Sequence, residues 1–257
     1  MMARNAISAV LFFAFTASAQ FGPQSDLTEL RKGADQGDVT AQFNLGYRYF
    51  EGQGLPQDYA EAALWFRKGA GQGDAFCQYN LAQMLRDGQG VPRNYPEALK
   101  WFRNAADQGL AWGQFNVGKM YADGQGVSQD YVEALKWYRR AADQGDIPAE
   151  VNLGTMYQLG QGVAQNYAQA LNWFRKAADR GNSLAQCKLG LSYEYGRGVA
   201  QDYLLAHMWY NLAASQSNGE EQRSYSQLRN SVAKKMSAAQ VEEAQRLAKE
   251  WAARGPQ

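Results

Sequence analysis

The chain is predicted to be all-α, an α-solenoid of stacked helical hairpins, and three observations carry that reading. A Gly-x-Gly step recurs every 36 residues, at Gly52/Gly54, Gly88/Gly90, Gly124/Gly126, Gly160/Gly162 and Gly196/Gly198. A tryptophan follows each step at a constant offset: Trp65, Trp101, Trp137, Trp173 and Trp209. Between Gly37 and Gln216 no insertion or deletion breaks the register. Self-similarity at a fixed period of roughly 20–50 residues marks stacked units, each touching mainly its neighbours. The five units run 37–72, 73–108, 109–144, 145–180 and 181–216.

Within the first unit, Asp38 precedes a run in which Ala41, Leu45 and Tyr49 recur every four residues. That spacing makes one helical face, and an aspartate is placed to cap the first free N–H groups. Gly52 stands where a left-handed residue ends the helix. The result is a helix A of about 13 residues. Asp58 and Glu61 then read as a reciprocal capping box for helix B, repeated at Asn94/Glu97, Asp130/Glu133 and Asn166/Gln169 and lost at Asp202/Leu205. Ala62, Trp65, Phe66 and Gly69 form its apolar face, and Gly73 ends it. Small residues recur in mid-helix A (Gly46, Ala82, Gly118, Gly154, Gly190), which predicts close helix approach, since glycine inside a helix costs roughly 1 kcal/mol against alanine. The in-phase tryptophans are assigned to the core.

The ends depart from the repeat. Residues 31–37 align in phase with 67–73, so a lone helix-B equivalent, within residues 20–36, precedes the first unit as a cap. Residues 217–257 form a C-terminal helical cap, with a capping box at Ser237/Gln240. Residues 1–19 read as a signal peptide: Arg4, an apolar run from Ala6 to Phe15, then Ala17-Ser18-Ala19. Cleavage after Ala19 would export the chain to the periplasm or the medium. The apolar run is too short to anchor it across a bilayer, and no integral membrane segment is expected after cleavage.

Composition narrows function. Residues 1–19 carry Arg4 and no acid, so the mature chain has 25 basic and 25 acidic side chains. A chain without net charge, its signs mixed in every repeat, offers no footprint for nucleic acid. Cys77 and Cys187 lie three units apart, which argues against a disulfide. Cys77 reads as a small packed residue, whereas the slot of Cys187 also faces a candidate groove. No metalloprotease helix, phosphate loop or nucleophile elbow occurs, and the Gly-x-Gly steps lack the third glycine of a dinucleotide fingerprint. His207, the single histidine, stands where Leu99, Leu135 and Leu171 stand in other units. No catalytic residue, metal site or cofactor is expected, and the chain is read as a monomer and not an enzyme.

Ala41-Gln42-Phe43-Asn44-Leu45-Gly46, Gly52-Gln53-Gly54, Gln57-Asp58-Tyr59 and Trp65-Phe66-Arg67 resemble the Sel1-like repeat, a relative of the tetratricopeptide repeat. The resemblance covers about residues 37–216. It implies a scaffold or adaptor that binds a protein or peptide, in envelope signalling or host contact. A cysteine-rich subgroup linked to β-lactam binding carries cysteine pairs within its repeats, and this chain has none. By resemblance to tetratricopeptide arrays, the stripe at 40, 43, 47 and 50 and its equivalents lines a concave inner groove. The candidate partner-binding residues are Tyr47, Phe76, Tyr79, Trp112, Phe115 and Lys119. Beside them runs an asparagine ladder, Asn44, Asn80, Asn116 and Asn152. For the aromatics, local packing remains open beside anchoring a partner. For the asparagines, satisfying a neighbouring backbone group remains open beside binding an extended peptide. The rival class is a cell-wall glycan-binding or hydrolytic envelope protein, which aromatics clustered off the repeat pattern would favour.

Overall fold

A computed structural model describes residues 26–255. The expected signal peptide lies outside the described residues. Among them are thirteen α-helices and no strand. A single helix, α1 (Leu27–Asp35), precedes the repeats. The A helices are α2 (Val39–Glu51), α4 (Ala75–Asp87), α6 (Ala111–Asp123), α8 (Ile147–Leu159) and α10 (Ser183–Tyr195). The B helices are α3 (Tyr59–Gly71), α5 (Tyr95–Asp107), α7 (Tyr131–Asp143), α9 (Tyr167–Asp179) and α11 (Tyr203–Ser215). Two further helices, α12 (Gly219–Ala233) and α13 (Ala238–Arg254), close the described chain. The helices fall into two compact units divided after Gln129, each built of stacked helical hairpins. The fold is of the α-solenoid class.

Each A helix begins and ends for a local reason. The Asp38 carboxylate accepts the Ala41 N–H at 2.7 Å, and Asp74, Asp146 and Asn182 repeat the bond. Leu110 makes no such bond. Gly52, Gly88, Gly124, Gly160 and Gly196 end the A helices at φ between 65° and 72°, where only glycine sits without strain.

The B helices correct one expectation. Asp58 caps Ala60 and Glu61 through its side chain, at 2.9 and 3.0 Å. The reciprocal half of the box does not form, because the Asp58 N–H already donates to the Tyr49 carbonyl of helix A at 2.9 Å. Asn94, Asn166 and Asp202 donate in the same way to Leu85, Tyr157 and Tyr193. The lost acid at Leu205 therefore breaks no capping box; what that slot loses is the bridge between repeats that Glu97 makes to Arg67 at 2.8 Å. A complete capping box forms at Ser237 and Gln240, as expected.

The core lies between A and B helices. Phe66, Phe102, Phe174 and Tyr210 are almost fully buried. Each sits one residue after the repeat tryptophan. They explain the mid-helix glycines: a Cβ on Gly154 would lie 2.5 Å from Phe174 Cε1, and one on Gly190 2.6 Å from Tyr210 Cδ1. The glycine makes room for a ring. Trp65, Trp137, Trp173 and Trp209 are buried as expected, whereas Trp101 is half-buried. Tyr49, expected in the core, packs against it but is half-buried, and its hydroxyl accepts a hydrogen bond from the Arg31 guanidinium. Both cysteines are free and buried. Cys77 fills the space left by Gly69, where a Cβ would meet its Sγ at 2.4 Å. Burial pushes the Cys187 thiol up to about 11.

A buried glutamine column joins successive repeats. In the first unit Gln42 Nε2 donates to the Ala34 carbonyl at 3.1 Å, and its Oε1 accepts from Gln72 Nε2 at 2.8 Å. Gln78 and Gln108 repeat this pair one turn of the array later. In the second unit Gln186 pairs with Gln216. The fourth repeat replaces the two amides with a charged pair, Glu150 and Arg180, at 3.7 Å. Glu150 is buried, and burial raises its pKa against the pull of Arg180. The neighbouring helix cap Asp146 is also buried, and burial pushes its carboxyl up to about 6.

That geometry fixes a pH dependence. Folded Asp146 holds its proton to higher pH than an unfolded aspartate, whose ordinary value is about 3.9. In the window between about 4 and 6 the native state binds more protons, so this group's contribution to stability falls as pH rises. Asp146→Asn keeps the cap, as Asn182 does, and should stabilise the protein by roughly 1–2 kcal/mol at pH 7. Urea titration at pH 7 and pH 5 checks it: the gain should shrink at the lower pH, and a gain independent of pH would contradict the assignment.

At the C-terminal end, Trp209 packs edge-on against Trp251 of α13 with ring centres 5.6 Å apart. Buried Glu194 accepts from the Tyr210 hydroxyl at 2.8 Å and from Lys235 Nζ at 3.0 Å, which ties α10 to the segment after α12.

Candidate functional site on the A helices

The first unit presents the A helices with aromatic side chains in two interlocking positions. Phe43 of α2 meets Phe76 of α4 with ring centres 6.1 Å apart, and Tyr79 of α4 meets Trp112 of α6 at 6.2 Å. Slot 43 of one repeat thus packs on slot 40 of the next. This takes slot 43 out of the expected stripe: Phe43, Tyr79, Val151 and Cys187 are buried, so slot 43 is interior wall, and only Phe115 in that slot is half-buried. The Cys187 slot faces no open groove. The open row of the first unit runs instead through slots 40, 47 and 51, seven and four residues apart along one face, and of slot 44 only Asn44 is half-buried there.

The expected partner-binding residues separate accordingly. Tyr47, Phe76, Trp112, Phe115, Asn44 and Asn152 are half-buried, and Lys119 is exposed. Tyr79, Asn80 and Asn116 are buried. The Tyr79 ring packs edge-on against Phe102, and its hydroxyl accepts from Gln83 Nε2 at 2.8 Å. Asn152 lies in the second unit. There the equivalents of the aromatic row are Pro148, Val151, Leu184 and Cys187, so the aromatic surface belongs to the first unit.

The asparagines bond within their own helices. Asn80 Nδ2 donates to the Phe76 carbonyl at 2.8 Å, Asn116 Nδ2 to Trp112 at 2.8 Å, and Asn152 Nδ2 to Pro148 at 3.0 Å. Asn116 Oδ1 also accepts from Arg86 Nη1 at 2.7 Å, which links two A helices. Arg86 holds Asp87 with its remaining face, at 2.7 and 2.8 Å.

Sequence reasoning missed slot 51. Glu51, Asp87 and Asp123 end the three A helices of the first unit, while Leu159 and Tyr195 end those of the second. Burial and the Glu51 charge push the Tyr47 hydroxyl up to about 12, consistent with the two sharing one face. Three acids in phase were a readable signal.

His207 is buried, its Nδ1 has no hydrogen-bond partner, and burial with Arg229 lowers its pKa. Among the described residues no group of three or more His, Cys, Asp or Glu is placed to hold a metal ion. Among them also, no helix is long and apolar enough to cross a membrane.

The Sel1 repeat family model matches five segments, residues 39–74, 75–110, 113–146, 147–182 and 183–218. The chain belongs to the Sel1 repeat family. Sel1 repeats mediate protein–protein interaction, and scaffolds built from them are typically non-catalytic. Among solved structures, this Sel1 repeat protein is similar to c5321, a protective antigen present in uropathogenic Escherichia coli strains that displays an SLR fold. Identity is 38% and the TM-score 0.76, over 87% of this chain and 48% of that one. The chain therefore spans about half the length of that antigen. A Sel1 repeat protein from Oxalobacter formigenes is 31% identical with a TM-score of 0.71, over 79% of this chain and 89% of its own. No curated protein matches the chain.

Proposed function

We propose that this chain is an exported scaffold that binds a protein or peptide segment on the A-helix face of its first unit. The observation that carries the reading is the half-exposed aromatic row of Tyr47, Phe76, Trp112 and Phe115, set on rigid helices and absent from the equivalent slots of the second unit. Aromatics presented in this way are the usual anchors of interfaces. Export rests on the apolar run before Ala17-Ser18-Ala19. A role in envelope signalling or host contact fits an exported scaffold, and the antigen from uropathogenic E. coli is a relative in keeping with it. The chain is a monomer and takes no nucleic acid, in line with the balanced charge of residues 20–257.

Two measurements test this. Tyr47→Ala combined with Trp112→Ala removes two anchors from the open row while leaving buried Tyr79 in place. Capture of exported partners from the source cell should be lost with helicity and melting unchanged, and capture that persists in the folded variant refutes the site. Mass spectrometry of the exported protein should find Gln20 at its N-terminus; an exported form that retains Met1 refutes cleavage after Ala19.

A further inference from the structure

The junction between α11 and α12 exposes a chemistry that the fold suppresses elsewhere. Asn218-Gly219 is the single Asn-Gly step in the sequence. It stands 36 residues after Asn182, so Asn218 occupies the helix-cap slot of Asp38, Asp74, Asp146 and Asn182. In those four a side-chain oxygen accepts the backbone N–H three residues on. Asn218 makes no such bond, and it is exposed. Its backbone is extended, with φ −137° and ψ 171°. Gly219 follows at φ 58°, and nothing among the described residues lies within 4 Å of where its Cβ would stand.

A side-chain amide that no bond holds is open to attack by the next backbone nitrogen. That attack needs a free N–H and little crowding. Gly219 has no Cβ. Its N–H is an orphan donor of a first helical turn and finds no backbone partner among the described residues. Similar junctions fail one requirement or the other. Asn182 precedes Ser183 and is half-buried, with its Oδ1 held by the Ala185 N–H at 2.8 Å. Asn230 precedes Ser231 within α12, and its Oδ1 accepts from Arg229 Nε and Nη2 at 3.2 and 3.1 Å. Asp87 and Asp123 precede glycines that could close the same ring, but the Gly88 and Gly124 N–H groups donate to the Met84 and Met120 carbonyls.

We infer that Asn218 is a site of non-enzymatic modification, losing its side-chain amide by ring closure with Gly219. The Gly219 nitrogen bonds to the Asn218 side-chain carbonyl carbon. Its proton leaves with the side-chain nitrogen as ammonia, and a cyclic imide remains. Water then opens the ring at either carbonyl. One opening gives aspartate in a normal backbone, and the other gives isoaspartate, with the backbone routed through the side chain. The net change is an amide and water to a carboxylic acid and ammonia. The aspartate product places at this slot the residue that three repeats already use, and a helix N-terminus favours its charge. The isoaspartate product lengthens the backbone by one carbon where α12 starts. That helix seats Tyr225 and Val232 in the core, and Lys235 just beyond it holds Glu194. Isoaspartate at 218 therefore displaces the start of the helix that caps the array.

The test incubates the full protein at mildly alkaline pH, folded and in concentrated guanidinium, and follows each asparagine by peptide mapping and mass spectrometry. In the folded protein Asn218 should convert at least about tenfold faster than Asn182 or Asn230, with both acid products recovered, because a junction outside the helical ladder has little protection to lose. Unfolding should speed conversion at Asn182 and leave Asn218 nearly unchanged. In Gly219→Ala, its fold checked by circular dichroism, the rate at Asn218 should fall about tenfold as the added Cβ crowds the attacking nitrogen. An Asn218 that keeps its amide in the folded protein but loses it in guanidinium overturns the inference. Equal rates at the three asparagines, or a Gly219→Ala protein that converts as fast as the parent, overturn it as well.

Discussion

Gly90→Ala is expected to destabilise the protein by roughly 3–5 kcal/mol, and Gly54→Ala by only about 1–2 kcal/mol. The two glycines occupy the same slot of the repeat and nearly the same conformation, φ 68° and 73°. A Cβ therefore meets the same left-handed penalty at both. Their neighbours differ. At Gly90 the added carbon would lie 2.2 Å from the Tyr59 carbonyl carbon and 2.6 Å from the Ala60 nitrogen. These are backbone atoms of the preceding B helix and cannot rotate away. At Gly54 nothing among the described residues lies within 4 Å, because no full repeat comes before it. Gly126, Gly162 and Gly198 meet the backbone of Tyr95, Tyr131 and Tyr167 in the same way as Gly90. The second glycine of each step after the first is thus the point where a loop lies on the start of the previous B helix. Urea titration of the two variants decides this, and equal losses would show that conformation alone selects the glycine.

Much of this architecture was legible because the repeat prints each constraint five times. Helix ends were readable from Asp38, Asp58 and Gly52, whose roles depend on local backbone geometry and little else. Three readings needed coordinates. The reciprocal capping box failed at Asp58 because a distant carbonyl, Tyr49, occupied the N–H that Glu61 was meant to reach. Slot 43 was placed on an open surface because spacing along one helix does not say how far the next A helix leans over it, and Phe76 and Trp112 cover that slot. The buried glutamine column escaped notice because one glutamine on an amphipathic helix looks like any surface residue. Its signal lay in pairs of columns. Gln42, Gln78, Gln114 and Gln186 change to Glu150 in one repeat, and there alone Gln72, Gln108, Gln144 and Gln216 change to Arg180. A coupled change of two slots within one chain is the mark of contact.

The same comparison separates aromatics that hold the fold from aromatics available for binding. The repeat places Trp173 and Phe174 side by side, and the A helices carry Phe76 and Trp112 at another fixed slot. Composition treats the four alike, whereas burial does not: Phe174 is 1% exposed, and Trp112 is half-buried beside Tyr79. Phe174→Ala should cost roughly 3–5 kcal/mol, the range for emptying a filled aromatic site. Trp112→Ala, which leaves solvent rather than a sealed cavity, should cost about 1 kcal/mol or less. A glycine gives the internal control. Gly154→Ala alone pushes a methyl to 2.5 Å from the Phe174 ring, although alanine gains back roughly 1 kcal/mol of helix propensity. The second hairpin holds Ala82 and Phe102 together, both fully buried, so the clash can be relieved and the net cost should stay near 1 kcal/mol. In Gly154→Ala/Phe174→Ala the methyl enters space that the ring has left. The double variant should therefore lose less than the sum of the singles, by about 1 kcal/mol or more. Strict additivity in urea titration would mean that ring and glycine do not share one space, and the account of the mid-helix glycines would fall with it.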